Sequence, residues 1–590
     1  MVSSSQNVKS AVSRAVKITG LRFWMLRVLE ECDRAAAGFA PDPVHDLRVA
    51  LRRCRSLADG LMAIDPDPDW KAMKKAGKRL FQRLGALRDI QVMTEWIEKL
   101  APAPARIVGA GEPSAPFSAG SPVPPQSQHD FHDIENAAAA DNGDRAARDP
   151  VALALLQILA HREAEQKREA ESALEEDEFD RKQWKQWCAS LPPRAARVRP
   201  GSALLKHLAL ERWAEAHRLH QLALRNRSQT AFHSLRIGIK RFRYIVENFL
   251  PVEHAAWSRD LKELQDLLGE VHDLDVLWAT AVSCHVFSDH LFPDKVFSDH
   301  ADSAGNLRKQ WRSRILQERN QRINRYRKKM VGPRSLWPVF RQALPKGKQV
   351  QALATRRMKL WAKSLDPDFA HSERVARLAL QLYDGLIAAG LLVSAHDAET
   401  NGAETTGAGA RSSLLAAALL HDVGKSKGNK GHHKASSELI RAHGTPLGWK
   451  PEDMRRAAIV ARFHCGALPT KNHKALRDLL PNEQKITIQL AAILRLANAM
   501  DVSHDGHIRR IQIENLKIET KATRKNRTNG FLRKPPSGLA RNEALVIAAE
   551  GYAPNTPTAQ TIAAERHLLE TVLHRPVVVR PMKKSAISAI

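Results

Sequence analysis

Residues 44–56 read VHDLRVALRRCRS, and residues 232–244 read FHSLRIGIKRFRY. The two stretches copy each other at a constant offset of 188 residues. His45 answers to His233, Arg48 to Arg236, Arg52 to Lys240, Arg53 to Arg241 and Arg55 to Arg243. At about 100° per residue, His45, Arg48, Arg52 and Arg55 fall within about 80° of one another. Leu47, Ala50, Leu51, Cys54 and Ala58 take the opposite face. The second copy repeats the pattern, with Leu235, Gly238, Ile239, Phe242 and Val246 opposite its cations. Each stretch therefore predicts a helix with one apolar and one cationic stripe. Downstream, LGALRDIQVM from Leu84 matches LGEVHDLDVL from Leu268. The first ~330 residues thus read as an internal duplication.

A solvated helix face normally mixes charges, because like pairs one turn apart destabilise it. Here basic residues stack with almost no acid between them, and Lys71, Lys74, Lys75 and Lys78 continue the theme. Such a row is relieved by an anion. Arginine forks match phosphate oxygens and lysines act as point charges. The predicted polyanion-binding set is His45, Arg48, Arg52, Arg53, Arg55, Lys75 and Lys78, with His233, Arg236, Lys240, Arg241 and Arg243 from the second copy.

These residues resemble the CHAD (conserved histidine α-helical) domain over about residues 5–340. The resemblance implies two helical bundles related by a pseudo-twofold axis and a basic cavity that binds inorganic polyphosphate.

The whole chain supports an anionic partner. Its 590 residues carry 92 Lys and Arg against 64 Asp and Glu, a formal charge of +28. That surplus favours nucleic acid, anionic membrane or polyphosphate. Aromatics are only 5%, which weighs against readers that stack single-stranded bases. A hydrophobic share of 43% excludes a wholly disordered chain. Apolar runs such as Leu414 to Leu420 are too short to cross a membrane. Five scattered cysteines with no CxxC argue against a disulfide framework or a cysteine zinc site, so a reducing, cytoplasmic setting is expected.

Composition also divides the chain. Residues 101–150, rich in Pro, Ala, Gly and Ser, read as a disordered insertion. A shorter stretch of the same kind covers 394–413, and a basic one covers roughly 519–542. The basic N-terminus is expected to be an ordinary first helix. Pro and Gly in 331–347 mark the main boundary. Residues 1–345 hold 54 basic and 43 acidic residues, and 346–590 hold 38 and 21, so both halves are basic. Strand patterns occur only near the end, in IRRIQIENLKIE, ALVIAAE and PVVVRP. The expected fold class is mainly all-α: duplicated bundles over 1–340, then a helical domain over 348–590 with a small αβ extension.

The second half carries a different chemistry. LLAAALLHDVGK, residues 414–425, ends an apolar helix on His421 and Asp422. Consecutive His and Asp at a helix end can both ligate one divalent ion. His371, His432, His433, His464 and Asp501 each sit on or beside a strongly apolar helical segment. Buried polar groups in such places need partners, and a metal supplies them.

This order resembles the HD phosphohydrolase superfamily. The resemblance implies that His371, His421, Asp422 and Asp501 hold a first ion. In its two-metal variants Asp422 would bridge to a second ion held by His433 and His464, with His432 as the alternative to His433. LLHDVGK, HHKASSELI, ARFHCGALP and LAAILRLANAMD resemble, more closely, the C-terminal domain of exopolyphosphatase and guanosine pentaphosphate phosphatase proteins, over about 348–585. One or two Mn²⁺ or Mg²⁺ ions are the implied cofactors, with Asp422 and Lys425 as catalytic residues. Lys425 would donate a proton or clamp a phosphate, and Lys434 and Arg462 are weaker candidates.

The expected function is polyphosphate binding coupled to metal-dependent phosphohydrolysis. The alternative is a non-catalytic module that targets polyphosphate granules. Nucleic-acid binding ranks third, and HCGALP in place of a GYP signature after His464 weighs against cyclic di-GMP chemistry.

Overall fold

The computed structural model describes residues 20–36, 41–101, 149–175, 180–287, 303–392, 406–517 and 543–582. The expectations for the N-terminal helix before residue 20, for 102–148 and for 519–542 lie outside the described residues. Eighteen α-helices and three strands make the described chain mainly all-α with a small sheet near its C-terminus. Two compact units separate, one from residues 1–63 with 67–345, the other from 64–66 with 346–590. Among the described residues no helix is long and apolar enough to cross a membrane.

In the first unit, α1 (Leu21–Ala36) packs on α2 (Pro41–Leu61), which packs on α3 (Pro68–Arg83), followed by α4 (Gly85–Leu100). Then come α5 (Pro150–Glu175), α6 (Arg181–Ala195), α7 (Ala203–Asn226), α8 (Gln229–Phe249), α9 (Pro251–Ser283), α10 (Ser303–Met330) and α11 (Leu336–Gln342). The duplicated stretches are the bodies of α2 and α8. Their predicted apolar stripes are core: Leu47, Leu51, Cys54, Leu235, Ile239 and Phe242 are fully buried. Ser228 starts α8 by accepting a hydrogen bond from the Ala231 amide at 3.2 Å. Gly238 lets α8 close on α7, because a Cβ there would lie 2.8 Å from Leu219 and 3.3 Å from the Ala216 Cα. α2 and α8 also pack against each other, so the two copies meet directly.

Asp149, placed by sequence inside the insertion, is structural. Its buried carboxylate accepts from the amides of Val151 and Ala152 at 2.9 and 3.1 Å and starts α5.

The second unit runs α12 (Lys348–Lys363), α13 (Phe369–Ala388), α14 (Thr406–Leu420), a 3₁₀ turn (Val423–Lys427), α15 (His432–His443), α16 (Pro451–Arg462) and α17 (Pro481–Met500). β1 (Arg510–Lys517), β2 (Glu543–Glu550), α18 (Pro557–Leu573) and β3 (Val577–Pro581) follow. β2 is central, antiparallel to β1 with Ile513 opposite Ile547, and parallel to β3 with Ile547 opposite Val579. Residues 544–549 of β2 are all buried, as a strand covered on both faces must be. Leu378, Leu382, Leu414, Leu490, Ile493 and Ile547 belong to one continuous core.

One expectation is corrected here. Residues 406–413 were read as part of a structureless stretch, yet they open α14. Gly409, Ala410 and Ser413 serve packing: a Cβ on Gly409 would fall 2.5 Å from an Asp453 oxygen. Ala410 and Ser413 are buried beside it. The composition of a linker was here the composition of a tight helix contact.

Candidate functional sites

In the first unit, Arg52 from one copy and Arg236 and Lys240 from the other line one groove of about 260 Å³. Burial, and then Arg236, Arg52, Arg55 and Arg48, lower the Lys240 ammonium to about 8. Cations from both copies therefore act on one point. Arg48 donates to the Leu84 carbonyl, and the guanidinium groups of Arg48 and Arg55 lie 4.6 and 5.0 Å from the Phe81 ring centre. The buried Arg55 Nε makes no hydrogen bond.

Other members of the predicted set are placed elsewhere. Arg53 and Arg243 both pair with Glu247, Arg53 at short range and Arg243 at 3.9 Å. Their charges are partly answered within the protein. His45, Lys75, Lys78 and Arg241 are exposed and outside the groove lining. His233 Nδ1 sits 3.3 Å from His272 Nδ1.

Sequence reading missed the acids. Gln265, Asp266, Glu270 and Asp273 complete the groove. Asp273 and Asp89 occupy the same place in the two copies of the downstream repeat. Burial, with Asp89 and Glu270 adding to it against Arg236, raises the Asp273 carboxyl to about 6. Asp89 is raised too, mainly by burial. The shared LRD and VHD triplets contained this signal.

In the second unit, α14, α16 and α17 end within two residues of His421, His464 and Asp501. Asp368 caps α13, accepting from the His371 amide at 3.3 Å, and sets His371. Asp422 is buried and looks two ways. Its Oδ2 lies 3.4 Å from His421 Nε2, 3.9 Å from His371 Nε2 and 2.6 Å from Lys425 Nζ. Its Oδ1 lies 3.4 Å from His432 Nε2 and 3.6 Å from His464 Nε2.

Three imidazoles share one device. Nδ1 of His421, His432 and His464 lies 2.8, 2.8 and 2.7 Å from the carbonyls of Ala418, Asn429 and Ala461, each three residues back. A carbonyl only accepts, so each Nδ1 carries the proton and each Nε2 presents a lone pair. His432 Nε2 and His464 Nε2 face each other at 3.1 Å. His421 Nε2 and Asp422 Oδ1 are buried with no hydrogen-bond partner. Two buried lone pairs with no donor beside them are what a cation satisfies, so these residues fit a divalent ion.

The electrostatics agree for Asp422 and His464, whereas on His421 they favour the protonated ring. Burial alone would raise the Asp422 carboxyl, but His421, His464 and Lys425 hold it well below the usual range. Burial pushes the His464 imidazole well down. Burial opposes charge on His421 too, yet Asp422 holds that imidazole up.

Two predicted ligands are placed differently. α15 begins at His432 after Gly431, whose φ of 75° is left-handed. One residue turns a helix by about 100°, so His432 rather than His433 faces Asp422. Asp501 stands behind His371: its Oδ2 accepts from His371 Nδ1 at 2.7 Å and from Arg374 Nε at 2.9 Å. Its Oδ1 accepts from the Gly506 amide at 3.0 Å. Its oxygens are engaged by His371, Arg374 and Gly506. Lys434 and Arg462 line a separate cavity of about 620 Å³ with Arg441, Arg455 and Lys474.

Gly424 makes the approach of α15 possible. A Cβ there would fall onto the His432 carbonyl and 2.5 Å from the Ser436 amide, whose side chain accepts from the Gly424 amide at 2.8 Å. Gly424→Ala is therefore expected to cost about 1–3 kcal/mol in denaturant unfolding and to weaken metal-induced thermal stabilisation.

Residues 25–282 match the family model of the CHAD domain, and residues 355–543 match that of Ppx/GppA phosphatase, domain III. No curated protein matches the chain. Among solved structures it is similar to the CHAD domain from the plant Ricinus communis, at 18% identity and a TM-score of 0.33, covering 54% of this chain and 90% of that one. The first unit thus contains a CHAD domain, and the second contains a Ppx/GppA domain III segment. α10 and α11 lie beyond the CHAD match.

Proposed function

We propose that this chain binds inorganic polyphosphate along the groove between α2 and α8 and hydrolyses phosphoanhydride bonds at the Asp422 centre. The second half is then an HD-type phosphohydrolase domain. The observation that carries the reading is the set of three imidazoles, each with Nδ1 on a carbonyl, whose Nε2 atoms converge on a two-faced buried carboxylate, with His421 Nε2 and Asp422 Oδ1 unpartnered. One or two divalent ions there would supply hydroxide near neutral pH and neutralise phosphoryl oxygens. His371 and His421 would hold the ion on one side of Asp422, and His432 and His464 the ion on the other. Asp501 fixes the His371 ring. Lys425, 2.6 Å from Asp422 Oδ2, would clamp a phosphate oxygen or protonate the leaving one. Phosphoryl transfer depends mainly on such positioning and charge. The location we propose is cytoplasmic, on polyphosphate granules. The test is phosphate release from long-chain polyphosphate by the full chain with Mn²⁺ or Mg²⁺. No release at any chain length, with metal shown to be bound, overturns it.

One observation favours a second reading. Lys425 already pairs with Asp422, and Arg374 with Asp501, so both carboxylates are neutralised within the protein. The second half would then be structural and the chain a polyphosphate organiser, with affinity but no turnover. Nucleic acid shares the charge argument and its salt dependence. Direct competition between DNA and polyphosphate ranks the two.

The groove gives binding a pH sense. Lys240 loses its charge as pH rises through about 8, and Asp273 gains a negative charge through about 6. Both changes repel phosphate. Polyphosphate affinity should fall steadily from pH 5.5 to 8.5 by roughly tenfold or more, about one pKa unit of interaction. Titration at fixed ionic strength measures it, and Asp273→Asn should flatten the acidic part.

A further inference from the structure

Cys465 is half-buried directly after His464, with its Sγ 3.8 Å from His432 Nε2. Its thiol and the two Nε2 atoms all lie within 4.8 Å of one another. A tetrahedral zinc ion, with bonds near 2.0–2.1 Å to nitrogen and oxygen and 2.3 Å to sulfur, sets ligand separations of roughly 3.3 Å for N to N, roughly 3.6 Å for N to S and roughly 3.3 Å for N to O. The structure has 3.1 Å between the imidazoles, 3.8 Å from nitrogen to sulfur, and 3.4 and 3.6 Å from the imidazoles to Asp422 Oδ1. That oxygen is buried, unpartnered and beside both imidazoles.

We infer that His432, His464, Cys465 and Asp422 Oδ1 form a closed tetrahedral site for a borderline-soft ion of the zinc class. This rests on reading the Asp422 centre as a metal site, and it changes the ion expected there. Mg²⁺ and Mn²⁺ prefer octahedral oxygen sets, whereas a thiolate selects softer ions. It also makes the centre asymmetric. Four protein donors leave no open position, the mark of a retained ion. His371, His421 and Asp422 Oδ2 supply only three, so the exchangeable ion and the substrate belong on that side. Ion binding converts the Cys465 thiol to a thiolate and releases its proton to solvent.

Buried geometry holds the site. Arg495, itself buried, donates to the carbonyls of Phe463 and Gly466 at 3.1 Å each and pairs with Glu565 at 2.7 Å. It fixes the turn that carries both His464 and Cys465. The scattered cysteines gave no sign of this, because the thiol's partners are remote in sequence.

The test uses the full chain, purified without added metal and dialysed against a weak chelator. Wild type should retain about one zinc per chain, and Cys465→Ser should retain several-fold less. After cobalt replacement, wild type should show a thiolate-to-cobalt absorption band in the near ultraviolet that Cys465→Ser lacks. Cys465→Ala, checked for native far-ultraviolet circular dichroism, serves if the serine variant fails to fold. Cobalt bound by wild type without a cysteine-dependent band overturns the thiolate site and leaves the metal centre standing. Absence of bound ion from wild type, or retention indifferent to Asp422→Ala, overturns the metal centre itself.

Discussion

Asp422→Ala should abolish hydrolysis of polyphosphate, lowering the rate by roughly a thousandfold or more, because several kcal/mol of transition-state stabilisation pass through metal ligation. No other group touches both sides of the centre. Oδ2 faces His421 and His371, and Oδ1 faces His432 and His464. Losing one carboxylate therefore removes a donor from both positions at once. His371→Ala or His464→Ala should each be milder, since each strips one side only. The variant also frees the Lys425 ammonium from Oδ2, so native far-ultraviolet circular dichroism is checked first, and His464→Ala, which leaves that ion pair intact, serves if Asp422→Ala does not fold. Phosphate release and metal content, measured on the same preparation, check the result. Wild-type turnover in the variant would place any hydrolysis elsewhere. The carboxyl is held far below its usual range, so its ligand form persists throughout the working pH.

Arg52→Ala combined with Arg236→Ala should weaken polyphosphate binding by about a hundredfold or more, taking roughly 1.5–3 kcal/mol for each charge-assisted contact. The two residues come from different copies and line one groove, so the pair tests the duplication as well as the charge. The salt dependence should become shallower by about one to two counterions. Arg53→Ala with Arg243→Ala, which conserves the same change in net charge, should do much less, because Glu247 already engages both side chains. Equal losses from the two double variants would reduce the groove to bulk electrostatics. Unchanged retention in Arg52→Ala with Arg236→Ala would remove it from polyphosphate binding.

Much of this was legible in sequence because it is local. The stripes of α2 and α8 follow from helical period alone, and the apolar face went to the core as the spacing required. The strands near the end were equally plain. What stayed hidden depends on contacts across long separations. Glu247 lies outside the quoted repeat, yet it takes Arg53, 194 residues away. Arg374 and Gly506 claim the oxygens of Asp501. The choice between His432 and His433 turns on one residue of helix register, set by a left-handed glycine. Asp89 and Asp273 are matched in the repeat, but their effect on the cations depends on burial, which spacing does not show.

The helix ends around Asp422 carry one more consequence. α14, α16 and α17 all arrive with their C-termini, each equivalent to roughly half a negative charge. Asp422 adds a full one. Before any ion arrives, the Lys425 ammonium beside Oδ2 is the cation that answers these charges. On the proposed reading, an ion arriving at Oδ2 takes over that role and releases the lysine to meet phosphate, so the cation is expected to add before the polyanion.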